Sequence, residues 1–136
     1  MNKSASRRKL RQWGTGRIRR QEFICTAREY AQVRNTGQTT AGRYMVMGYL
    51  DAPDDTTRLG IIVSKRYNKR AVQRNRARRL IREAFRLSRP KIEGAIWLVM
   101  IARHHLHGVK AQDVQAEMLK LLRRIDRLKP EAEEVH

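Results

Sequence analysis

A chain of 136 residues has room for one domain with a modest core. Its 31 lysines and arginines outnumber its 13 aspartates and glutamates, giving a formal charge of +18, a self-repulsion that a polyanion would relieve. Nucleic acid is the first partner this suggests, and an acidic membrane surface the second. The 40 % hydrophobic content argues against a disordered tail, no apolar run could span a bilayer or serve as a signal peptide, and the single Cys25 excludes an internal disulfide, so a reducing cytoplasm is expected.

In chain order, residues 1–17 read as a flexible basic arm: Arg7, Arg8, Lys9 and Arg11 lie close together, and Gly14 and Gly16 loosen its junction with the domain. Residues 18–129 carry the domain, and residues 130–136 an acidic tail with Glu131, Glu133 and Glu134. Thr26-Ala27-Arg28-Glu29 has the spacing of a capping box, in which threonine and glutamate cover each other's backbone N–H groups. It predicts a helix over 27–35 with Ala27, Tyr30, Ala31 and Val33 on its apolar face and Gly37 as a left-handed stop.

Tyr44 to Leu50 reads as a strand, the cluster from Asp51 to Asp55 as a turn, and Leu59 to Ser64 as a second, β-branched strand. Thr39 and Thr40 suggest a further short strand. From Arg74 onward, Ala77, Leu80, Ile81, Ala84 and Phe85 form one helical stripe. The opposite arc holds Asn75, Arg76, Arg78, Arg79, Arg82 and Arg86 with one acid, Glu83. Pro90 and Gly94 close that segment. Ile96 to Ala102 is apolar throughout, as in a central strand buried on both faces. Val114, Met118, Leu121, Leu122, Ile125 and Leu128 share a face of a last helix that Lys129-Pro130 ends.

The resulting fold class is an α+β sandwich in the order α-β-β-β-α-β-α, with helices covering one sheet. The strand–helix–strand succession over 59–102 implies a parallel crossover. The arginine arc is the feature that points to function. Surface helices ordinarily mix charge signs, and like charges at i,i+4, here Arg78, Arg82 and Arg86, destabilise a helix. Phosphates would compensate, and the planar guanidinium both grips phosphate bidentately and stacks on bases.

The stretch Arg58-Leu-Gly-Ile-Ile-Val-Ser-Lys-Arg66, with the run from Arg70 through Arg74-Asn75-Arg76 to Arg82-Glu83-Ala84-Phe85, resembles the signature of the bacterial ribonuclease P protein family. Thr26 to Tyr30 is similar to that family's first helix and Ile96 to Arg103 to its last strand, so the resemblance covers about residues 17–128. It implies the two-layer sandwich of ribosomal protein S5 domain 2 with a left-handed βαβ crossover. It implies the protein subunit of an RNA-based endonuclease that removes the 5′ leader of precursor tRNA, with hydrolysis in the RNA, using Mg²⁺, and one protein per RNA. By the same resemblance, Lys65, Arg66, Arg70, Arg74, Asn75, Arg76, Arg78, Arg79 and Arg82 face the catalytic RNA. Tyr30, Arg34, Met45, Met47 and Ser64 line a cleft for the single-stranded leader. Arg34 stands where the family has a second aromatic, and the loop from Tyr67 to Arg70 lacks a glycine common in the family.

No protein nuclease site is legible. The acids do not cluster as metal ligands, and Asp54-Asp55 sits in a turn. His104, His105 and His107 follow a strand end without a thiol or acid at ligand spacing, and read as surface or RNA-proximal residues. Cys25 reads as a small apolar residue. A ribosomal or RNA-chaperone protein is the competing reading, since fold alone does not fix function. A DNA-binding helix-turn-helix would need a helix a short turn before Arg74, where the sequence offers a strand.

Overall fold

The computed structural model describes residues 16–130. The elements are α1 (Ala27–Thr36), β1 (Gln38–Ala41), β2 (Met45–Asp51), β3 (Arg58–Ile62), α2 (Ala71–Ser88), β4 (Ile96–Ala102) and α3 (Ala111–Arg124), in the order expected. The sheet order is β1-β2-β4-β3; β1–β2 and β2–β4 are antiparallel and β3–β4 parallel, so α2 is the crossover between parallel neighbours. β3, not a helix, precedes α2, which removes the helix-turn-helix reading. The expected arm (1–17) and tail (130–136) lie outside the described residues except for Gly16, Arg17 and Pro130.

Alternation along β4 divides the interior. Ile96, Leu98 and Met100 join Ala77, Ile81 and Phe85 of α2 and Val114, Met118 and Leu121 of α3 in the larger core. Trp97 and Val99 point the other way, to Val33 of α1 and Ile24. Helices α2 and α3 thus form one layer against the sheet, and α1 lies alone on the far face. The continuous apolar run of β4 is the signature of this two-sided burial.

Local chemistry explains the ends. Thr26 Oγ1 accepts from the N–H of Glu29 at 3.1 Å, and the Glu29 carboxylate accepts from Thr26 N–H at 3.2 Å, completing the capping box. Gly37 is not the left-handed stop expected of it; its φ is −93°. Glycine is required there by space, because a Cβ would lie 2.3 Å from the Tyr49 carbonyl oxygen. Helix α3 also ends earlier than its periodicity suggests. The chain reverses at Asp126, whose φ is 62°, and Leu128 reaches the core from the following loop through a bridge to Ile92.

Glu117 of α3 holds the β1–β2 turn. Its buried carboxylate accepts from the backbone N–H groups of Arg43 (2.8 Å), Tyr44 (2.8 Å) and Met45 (3.0 Å). Glu117→Ala is expected to destabilise the protein by about 1–3 kcal/mol for the buried Met45 donor alone. Urea unfolding measures this, with an unchanged midpoint as the contrary result.

Candidate RNA interface

Helix α2 buries Ala77, Ile81, Ala84 and Phe85 and exposes Asn75, Arg76, Arg79 and Arg82. Arg79 and Arg82 form no ion pair with any described residue. The helix has no acidic residue in its first turn, and Arg70 at its N-cap makes no side-chain cap. Positive charge therefore gathers at the positive end of the helix dipole, an arrangement that opposes folding unless anions approach. Lys65, Arg66 and Arg70 are exposed in the segment leading into this end.

Two arginines of the predicted surface turn partly inward. Arg74 donates from Nη1 to the carbonyls of Asn68 and Lys69, both at 2.9 Å. Arg78 donates to Asn75 Oδ1 at 3.0 Å and to the Val63 carbonyl at 3.4 Å. Both are half-buried and brace the loop between β3 and α2, so their first role is to shape the surface that Arg76, Arg79 and Arg82 present.

On the far face of the sheet, α1 leaves a cleft. Tyr30 packs on Gly60, where a Cβ would lie 2.7 Å from its ring, and Val33 packs on Gly48. Burial pushes the Tyr30 phenol above its ordinary range, partly offset by a hydrogen bond from the Ile61 backbone. Beyond the helix, Val46, Ile101 and Ile62 are cross-strand neighbours in one row, with Ile62 39 % and Ile101 36 % exposed. An apolar row left uncovered beside a half-buried tyrosine is a surface on which unpaired bases can rest. Arg34, one turn beyond Tyr30, and Ser64, two residues beyond Ile62, are both exposed.

Met45 and Met47 do not belong to this cleft. Both are fully buried in the larger core, under α2 and α3. A shift of one residue reverses every side chain of a strand, and Tyr44–Leu50 is apolar at both parities, so periodicity alone does not choose the face. The cleft residues of β2 and its neighbours are instead Val46, Ile62 and Ile101. Gly48 and Gly60 carried the missing signal, since close helix approach needs glycine on the side it covers.

The histidines stay at the surface. His104 and His105 are exposed, with ring centroids 4.3 Å apart. Among the described residues no group of three histidine, cysteine or acidic side chains is placed to hold a metal ion, and no helix is long and apolar enough to cross a membrane.

Comparison with known proteins identifies the family. The family model for ribonuclease P matches residues 18–126. The ribonuclease P protein component of Desulforapulum autotrophicum is 36 % identical over 106 residues, covering 78 % of this chain and 90 % of the relative. That of Pelotomaculum thermopropionicum is 39 % identical over 99 residues, covering 73 % and 88 %. Among solved structures, the RNase P protein of Staphylococcus aureus superposes with a TM-score of 0.70 at 27 % identity, over 79 % of this chain and 98 % of that one. The RNase P protein of Thermotoga maritima gives 0.69 at 28 %, over 77 % and 98 %. The match over nearly the whole described domain shows that the chain belongs to the ribonuclease P protein family.

Proposed function

We propose that this chain holds two RNA elements on separate surfaces: the catalytic RNA on the arginine face of α2 and the single-stranded leader of precursor tRNA in the cleft between α1 and the sheet. Its family makes it the protein subunit of ribonuclease P in tRNA processing, partner to an RNA subunit that performs the cleavage. The observation that carries the two-surface reading is the contrast on α2, where apolar residues are buried and Arg76, Arg79 and Arg82 are exposed.

In this reading the protein contributes position and charge. Guanidinium groups screen the repulsion between RNA strands, and the cleft holds the leader so that the scissile bond meets the catalytic RNA in one geometry. Mg²⁺, which the family resemblance implies, acts in this proposal on the RNA. One protein per RNA and a cytoplasmic location complete the proposal; the single exposed Cys25 fits a reducing compartment.

The test is cleavage of a 5′-extended precursor tRNA at low Mg²⁺ by a ribonuclease P RNA, with and without the protein. Correct cleavage should return with the protein, and none should occur with the protein alone. Tyr30→Ala should cost about 1–3 kcal/mol of leader-dependent affinity. Equal losses for precursor and mature tRNA would remove the leader from the cleft.

A further inference from the structure

The segment before α1 is built into the fold as a strap. Ile18 enters the larger core, Glu22 meets Arg89 at 3.0 Å, and Ile24 N–H donates to the Leu59 carbonyl at 2.8 Å. Phe23 and Leu59 form a single parallel bridge on the free edge of β3. Beside that bridge lies an open groove of about 510 Å³. Arg17 and Phe23 of the strap, Tyr30 of α1, Ile61 of β3, and Arg78 and Arg82 of α2 line it. Its one carboxylate, Glu83, is engaged by Arg86, which also lines the groove.

We propose that this groove along the β3 edge binds one nucleotide of the precursor's leader, its phosphate facing Arg17 and its base resting against Phe23 and Ile61. The proposal rests on the reading that Tyr30 faces the leader. With Glu83 and Arg86 paired to each other, Arg17, Arg78 and Arg82 leave the groove positively charged, which favours an anion. An aromatic and aliphatic floor suits an unstacked base, which single strands expose and duplexes do not. The volume lies within the range of about 300–1,000 Å³ typical of small-ligand sites, which suits a nucleotide and not a helix. Tyr30 lines both the groove and the α1 cleft, so a strand leaving one enters the other. That continuity selects the leader over the catalytic RNA as occupant.

The experiment measures holoenzyme affinity for precursor tRNAs with leaders of increasing length, using Arg17→Ala, Phe23→Ala and, in parallel, Tyr30→Ala. Arg17 is exposed, so its replacement leaves the fold intact even if Phe23→Ala loosens the strap. Phe23→Ala should lose about fivefold or more in affinity for long leaders only. Arg17→Ala should lower the salt slope for the same substrates by about 0.7. Affinity for the RNA subunit alone should not change. A loss of RNA-subunit affinity independent of leader length would place the catalytic RNA in the groove and overturn the proposal. So would long-leader affinities unchanged by both strap variants while Tyr30→Ala still loses them. Indifference of all three variants would overturn the α1 cleft as well.

Discussion

Arg79→Ala and Arg82→Ala are expected to weaken binding of the ribonuclease P RNA by about tenfold or more each, the range for hydrogen bonds to charged groups. Each should also flatten the dependence of log affinity on log salt by about one unit, because each phosphate contact releases counterions when it forms. Both side chains probe the arginine face, Arg79 by itself and Arg82 together with the β3-edge groove that it also lines. They are exposed and form no ion pair with any described residue, so their loss removes no internal support from α2. Arg74 and Arg78 would give mixed results, since they also hold the carbonyls of Asn68, Lys69 and Val63. Lysine replacements separate charge from shape: they should restore the salt slope and recover only part of the affinity, because an ammonium lacks the bidentate fork. An alanine pair that binds RNA with the original slope would mean that α2 meets RNA elsewhere on its surface.

Helix α2 was legible in the sequence because two signals agree. The apolar stripe from Ala77 to Phe85 fixes which side is buried, and the arginines fall on the side that remains. The same agreement makes β4 readable, where seven successive apolar residues leave little but a two-sided strand. Readability failed where one signal stood alone. β2 has apolar residues at both parities, so its faces are settled by register with β4, in which Met47 pairs with Met100 and Gly48 with Val99. That pairing is a long-range property absent from any window of the sequence. The end of α3 failed for a similar reason: Leu128 keeps the helical spacing but reaches the core by way of the turn at Asp126.

The docking of the strap was hidden for a different reason. Gly16 and Arg17 read as the end of a flexible arm, and no motif or periodicity marks the residues between Ile18 and Cys25. The strap is held by contacts between residues far apart in sequence, Ile18 with the core, Ile24 with Leu59 and the ion pair of Glu22 with Arg89, and nothing local to any of them announces it. The groove beside the strap was invisible with it.

That ion pair carries the largest stability prediction. The Arg89 side chain is 3 % exposed and that of Glu22 10 %. The Glu22 carboxylate also accepts from Arg19 N–H at 2.6 Å, and Arg89 donates to the Gly16 carbonyl at 2.5 Å. Removing one member of a buried pair costs about 3–5 kcal/mol, because the other charge stays desolvated without its counterpart. Glu22→Ala should therefore consume a large share of a stability that for small domains is about 5–15 kcal/mol, shown as a lower urea midpoint. Glu83→Ala, which removes the exposed partner of Arg86, should leave the midpoint nearly unmoved. Replacing both members, Glu22→Met with Arg89→Met, should recover most of the loss, since apolar side chains of similar volume carry no desolvation penalty. Hydrogen exchange at Ile24 N–H locates the damage. Faster exchange there with an unchanged midpoint would mean that the strap opens on its own while the rest of the fold stands. The strap would then be a separable wall of the β3-edge groove. A lowered midpoint with uniform exchange would make it part of the cooperative core, as the burial of Ile18 among the residues of α2 and α3 implies.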